Sequence, residues 1–218
     1  MEKKSITVVG GDLRIVKLIE MLINDGYKVY TYALENSEEL LSFDSVEMCP
    51  TLEEAVSYSK VIVGPVPLSS DRKRLSAPFG RNYVELPDFV KALKGKYLIA
   101  GNIGIKDELD EKGIQFTDLL KREEFSVLNT IATAEGTIQI AMEETQRTVH
   151  GSNVLVMGFG RIGKVLAKML DGIGAKVYCE ARKNEDISWI KAYGYNPIHL
   201  NDLNAVSYTH LTLPTIRL

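Results

Sequence analysis

Asn153–Gly163 reads NVLVMGFGRIG, and its reading decides the fold. The strand-type run Asn153–Met157 passes directly into Gly158-Phe159-Gly160-Arg161-Ile162-Gly163. A helical pattern follows, with Val165, Leu166, Met169 and Leu170 on one face. Gly174 ends that helix, and Lys176–Cys179 opens a second strand. Each glycine has a physical reason. Gly158 makes a tight turn, Gly160 lets backbone approach a pyrophosphate, and Gly163 lets helix pack closely on strand. The helix N-terminus adds free N–H groups and the positive end of the dipole. The loop Gly158, Phe159, Gly160, Arg161, Ile162 and Gly163 is therefore the expected cofactor-binding segment. The alternative is a glycine-rich turn with a purely structural role.

The end of the second strand separates NAD from NADP. An Asp or Glu about 20 residues beyond the glycines accepts from the ribose 2′-hydroxyl in NAD sites. That slot falls near Ala181, and Arg182 and Lys183 follow it. Alanine with two cations suits a 2′-phosphate, so NADP(H) is favoured over NAD(H). A slip of one residue would place Glu180 on the ribose and reverse that preference. Arg182 and Lys183 could also form only a solvated loop.

Outward from this unit, the N-terminal half repeats the βαβ logic. Ser5–Gly11 reads as a buried strand, Leu13–Asn24 as an amphipathic helix and Tyr27–Ala33 as a strand. Lys60–Gly64 and Lys96–Gly101 are further strands, with short helices over Leu52–Ser57 and Phe89–Leu93. The polar stretch Pro65–Gly80 leaves a strand end, where open α/β sheets bind ligands, or it is a connector. Gly10-Gly11-Asp12-Leu13-Arg14 lacks a third glycine and is a weak phosphate signal. Asp12 is placed to cap the helix, and Arg14 either meets an anionic substrate or remains a surface side chain. Arg72, Lys73 and Arg74 are a solvated run or a clamp for a dicarboxylate. Ile114–Leu120 and Glu123–Asn129 read as short connecting elements. A bridging helix is expected over Ala134–Thr148, with Thr133 as N-cap, Glu135 in the first turn and His150-Gly151 closing it. The fold class is α/β, two Rossmann-like doubly wound parallel sheets, the second incomplete.

Composition narrows the function classes. The chain has 218 residues, 45% hydrophobic and 25% charged, as globular domains do. A net charge of −3 offers no field for nucleic acid or anionic membrane. No apolar stretch approaches the roughly 20 residues of a membrane span, and no signal-peptide core precedes the first strand. A cytoplasmic location is expected. Cys49 and Cys179 lack metal-ligand spacing, and no metal is expected. His150, His199 and His210 form no acid–base pattern.

These residues also carry a resemblance covering Lys4 to Asn204. The GGDLR start, Leu128–Thr137 (LNTIATAEGT) with Ile138–Glu144 (IQIAMEE), Val154–Ala167 and Gly174–Arg182 resemble the A subunits of dipicolinate synthase from endospore-forming bacteria. The TAEG and IQIAMEE stretch is the most family-specific; GFGRIG is shared with D-2-hydroxyacid dehydrogenases. Ala132 stands where the family usually has proline, and Glu180 where a small residue is usual. Ala181-Arg182 matches the family's pair. The resemblance implies NADP-linked oxidation of dihydrodipicolinate, a small dicarboxylate, in the mother cell of a sporulating bacterium. It also implies a partner, the flavoprotein-like B subunit. Candidate substrate contacts are Arg14, Arg72 and Thr133, and Glu135 is a weak candidate for the base. A different Rossmann dehydrogenase and a non-catalytic NADP(H)-sensing module remain the alternatives.

The expected domain organisation is an α/β domain over 1–130, a bridge over 131–150 and a dinucleotide domain over 151–205. The span from Gly151 to Leu218 is short of the about 100 residues or more of a complete six-strand domain. The last residues, Val206–Leu218 (VSYTHLTLPTIRL), have no helical face and resemble translated adapter sequence. A truncated second domain with a non-native tail is the expectation, with the full-length relative as the enzyme and the activity of the chain as written left open.

Overall fold

A computed structural model describes residues 4–43 and 45–205. The tail expected over Val206–Leu218 lies outside the described residues. Chain contacts divide the molecule into two compact units, Met1–Arg122 and Glu123–Leu218.

The first unit begins with β1 (Ser5–Val9), α1 (Leu13–Asn24) and β2 (Lys28–Tyr32). It continues through β3 (Val46–Met48), α2 (Leu52–Ser57), β4 (Val61–Val63), α3 (Leu86–Ala92), β5 (Tyr97–Ala100), α4 (Lys106–Glu111) and β6 (Gln115–Asp118). The strands form one parallel sheet in the order β3-β2-β1-β4-β5-β6. The order reverses between β1 and β4, which creates a crevice beyond their carboxyl ends. Because alternate strand residues point to opposite faces, Val8 and Val63 join Ile15, Val16 and Ile19 in one core cluster. Val9 and Ile62 join Phe89, Leu93 and Leu98 in another. Both sheet faces are thus covered, as parallel sheets require.

The turn after β1 is built for packing. Gly10 (φ +67°) and Gly11 (φ +114°) adopt left-handed backbone, and a β-carbon on Gly11 would collide with the Ile15 side chain. Asp12 caps α1 by accepting from the Arg14 N–H. The Arg14 guanidinium returns to the Asp12 carboxylate at 2.7 Å and also donates to the Val66 carbonyl. That guanidinium holds the Asp12 carboxyl below its ordinary range. The segment therefore carries its own anion at the helix N-terminus and is not a phosphate cradle.

The second unit opens with one long helix, α5 (Glu123–Glu144). The expected N-terminus at Thr133 is incorrect, because the helix starts ten residues earlier and absorbs Glu123–Asn129. It also stops at Glu144, short of His150. Thr133 lies mid-helix and donates to the Asn129 carbonyl at 3.3 Å. Glu135 is accordingly far from any helix-dipole end. Then come β7 (Asn153–Met157), α6 (Arg161–Ile173), β8 (Lys176–Ala181), α7 (Asn184–Ala192) and β9 (Asn196–His199), with the strands parallel in the order β7-β8-β9. A 3₁₀ turn over Leu200–Ala205 follows. Val156, Val177, Cys179 and Ala181 pack against Ala167 and Leu170 of α6 and Ile190 of α7. His150 Nδ1 donates to the Ile173 carbonyl at 2.9 Å, and the ring lies where a β-carbon on Gly174, the left-handed cap of α6, would stand. It is a structural histidine.

In this unit the Gly158 carbonyl oxygen stands where an added β-carbon on Gly163 would lie. Gly163→Ala is therefore expected to destabilise the unit by about 2 kcal/mol or more, read as a lower denaturation midpoint; an unchanged midpoint would refute the contact. At Asp12 the folded pKa is depressed, so the charge contributes stability above the unfolded value. That contribution disappears as pH falls through the folded value. Asp12→Asn keeps a capping side chain but loses this charge. Urea unfolding should show a loss of about 0.5 kcal/mol at neutral pH, modest because both partners are solvent-exposed, shrinking to nothing in acid. A loss that stays constant with pH would contradict the assignment.

Candidate dinucleotide-binding site

β7 delivers the chain to Gly158, whose left-handed φ of +91° makes the turn. The Gly158 N–H donates to the Glu180 carbonyl at 3.2 Å, which joins the turn to β8. Gly160 is the N-cap of α6, with extended backbone and no side chain to satisfy the first-turn N–H groups. A β-carbon on Gly160 would meet nothing within 4 Å, whereas one on Gly163 would strike the turn. One glycine keeps space open in front of the helix, and the other keeps the helix close behind it. This division of roles fits a diphosphate.

The remaining loop residues differ in kind. Phe159 is buried against Tyr193 and Tyr195, with centroids 6.0 and 6.5 Å away, and the Lys164 ammonium lies over its ring. It anchors the turn to the connection between α7 and β9. Arg161 is engaged by Glu123 of α5 at 2.9 Å, and Ile162 is partly exposed.

Ala181 ends β8, and Arg182 and Lys183 follow it in the open. His199 ties this corner together. Its Nδ1 accepts from the Asn201 N–H at 3.3 Å, which leaves Nε2 to donate to the Arg182 carbonyl at 3.2 Å. The sequence offers no signal for this contact, which only strand pairing creates. Glu180 and Ala181 point to opposite sheet faces. Glu180 is 6% exposed, and its Oε1 has no partner among the described residues. Cys179 is buried beside it, and burial pushes its thiol up to about 12, so it stays protonated.

The expected substrate residues are divided between the two units. Arg14 and Arg72 belong to the first unit, while Thr133 and Glu135 belong to the second. Arg14 is already spent on Asp12 and Val66. Arg72 has left-handed backbone (φ +61°), its N–H donates to Ser69 Oγ, and its side chain runs beside Gly104. Its guanidinium has no partner among the described residues. Asp71 fixes this loop by accepting from the N–H groups of Arg74 and Lys73, which hold its carboxyl low. Arg74 pairs with Glu85 and stacks on Tyr83, so the basic run is not a three-cation clamp. Glu135 is exposed on α5, and no described neighbour orients it as acid or base. Among the described residues no group of His, Cys, Asp or Glu could hold a metal, and no helix is long and apolar enough to cross a membrane.

Two family profiles match the chain. That of the N-terminal domain of the dipicolinate synthase A subunit covers residues 5–120. That of the D-isomer specific 2-hydroxyacid dehydrogenase NAD-binding domain covers residues 102–213. The chain is 27% identical to the A subunit of dipicolinate synthase of Bacillus subtilis (strain 168) over 202 residues, 91% of this chain and 67% of that protein. The crystal structure of the dipicolinate synthase A chain from Bacillus subtilis superposes with a TM-score of 0.75 at 26% identity, over 94% of this chain and 70% of that one. The structure of the corresponding protein from Bacillus halodurans shares the fold, with a TM-score of 0.74 at 24% identity, over 91% and 69%. The second half of the chain is a nicotinamide-dinucleotide-binding domain of dehydrogenase type, and the chain belongs to the family of dipicolinate synthase A subunits.

Proposed function

We propose that this chain is the NADP(H)-binding subunit of a dipicolinate synthase that oxidises dihydrodipicolinate to dipicolinate in the cytoplasm of a spore-forming cell. The carrying observation is the Gly158–Gly163 turn, open at Gly160 and closed at Gly163, within a chain of this family. A nicotinamide cofactor held by Gly158–Gly163 would supply the hydride acceptor for oxidation of the dihydro ring, with the companion proton passing to a base and aromatic stabilisation of the product as driving force. The protein's own contribution is alignment, exclusion of water and neutralisation of two carboxylates.

Preference for the 2′-phosphate rests on Ala181, Arg182 and Lys183. Alanine at the strand end presents no repelling carboxylate, and the two following cations are free to pair with a phosphate. Glu180 is turned to the other sheet face, which supports NADP over NAD. For the substrate, Arg72 is proposed to hold a carboxylate, because its guanidinium is uncommitted. Arg14 and Thr133 are engaged within their own elements and are secondary to it.

Replacing Arg182 and Lys183 together by alanine should weaken NADPH binding about tenfold or more and leave NADH nearly unchanged. Equal losses for both would argue against 2′-phosphate recognition. Turnover is tested with dihydrodipicolinate, NADP and a purified dipicolinate synthase B subunit, following the absorbance of reduced nicotinamide. Reduction is expected of the chain carried to the full length of its relatives. Tight NADP(H) binding with no reduction would instead make the chain a nucleotide sensor.

A further inference from the structure

The first residues of α5 and α6 meet. α5 starts at Glu123 and α6 at Arg161, and Arg161 Nε donates to Glu123 Oε1 at 2.9 Å. Arg161 directly follows Gly160, the cap that offers no side chain to the first-turn N–H groups of α6. The positive end of the helix dipole and the guanidinium both favour an anion at this place. Glu123 is an anion that the chain itself supplies there, from a different helix.

The first unit shows how a permanent version of such a pair is built. Arg14 Nε donates to both oxygens of the Asp12 carboxylate, and its Nη2 donates to Asp12 Oδ2 and to the Val66 carbonyl. Asp12 is also the cap of α1, so that carboxylate belongs to the helix it serves. Glu123 meets Arg161 through a single nitrogen, and the terminal nitrogens of Arg161 have no partner among the described residues. Both side chains are more than half exposed, Arg161 at 56% and Glu123 at 67%. An exposed pair of this kind shifts an equilibrium by at most about fivefold. A diphosphate brings more charge than one carboxylate, and it accepts from the helix N–H groups and the terminal nitrogens together. It can therefore take the guanidinium from Glu123.

We infer that Glu123 is a built-in competitor for the cofactor's diphosphate: it engages Arg161 and must yield that guanidinium on binding, which lowers dinucleotide affinity. This rests on the dinucleotide site at Gly158–Gly163 and adds a residue that regulates it from α5. The competition concerns the diphosphate that NADPH and NADH share, and not the 2′-phosphate proposed for Arg182 and Lys183. Titration of the full chain with each nucleotide, followed by nicotinamide fluorescence, tests it. Glu123→Gln should tighten NADPH and NADH alike by about two- to fivefold, more at low salt than at high. Arg161→Ala should weaken both, and adding Glu123→Gln to that variant should change neither. Unchanged or weaker binding by Glu123→Gln would make the carboxylate a support for Arg161 and overturn the inference, leaving the cofactor site standing. Equal tightening with and without Arg161 would reduce Glu123 to a general negative field and overturn the competition. Tightening of NADPH alone would place Glu123 at the 2′-phosphate, with the same consequence. A wild-type chain that binds neither nucleotide would overturn the cofactor site as well.

Discussion

The carbonyl oxygen of Gly158 occupies the space a side chain on Gly163 would need, and the second unit is organised around that approach. It brings α6 close enough for Ala167 and Leu170 to pack on Val156 and Cys179, and it aims the first-turn N–H groups of α6 past Gly160 into open space. Gly160 contributes the complementary absence of atoms. Phe159, gripped by Tyr193 and Tyr195, keeps the turn in place from the side. A longer separation between α6 and β7 would cost both the core and the anion site, so packing and binding rest on the same pair of glycines.

The first unit shows that the same architecture without that geometry does something else. Its sheet has the doubly wound order and its β1 also ends in a glycine pair. The space those glycines leave is filled by Leu75 and Ile15. Asp12 supplies the negative charge the helix N-terminus attracts, and Arg14 neutralises it. Arg72, whose guanidinium is uncommitted among the described residues, is held at this rim by a loop whose backbone is tied to Ser69 and Asp71. A division of labour follows, with nucleotide recognition in the second unit and carboxylate recognition proposed for the first.

Regular patterns were legible in the sequence, and irregular ones were not. α1, α2 and β7 fall where periodicity and glycine punctuation place them. β3 is only three residues, and α4 (KDELDE) buries a single leucine, so neither leaves a periodic signal. α5 was half seen. Its N-terminal half mixes β-branched residues with apolar side chains on several faces, and Thr133 imitates a cap although its hydroxyl bonds back to Asn129. Glu135 loses its place in a first turn for the same reason.

By itself the sequence determined the α/β class, the glycine turn and the alanine and cations beyond it, because these depend on residue type at short spacing along one βαβ unit. Tertiary structure alone decided which of these groups are free to act. Arg14 and Arg161 are committed to carboxylates, Arg74 to Glu85, and Arg72 to none among the described residues. Glu180 and Ala181, adjacent in sequence, are turned to opposite faces by the pleat. Whether a charge is paired or open depends on neighbours distant along the chain, and only folding supplies them.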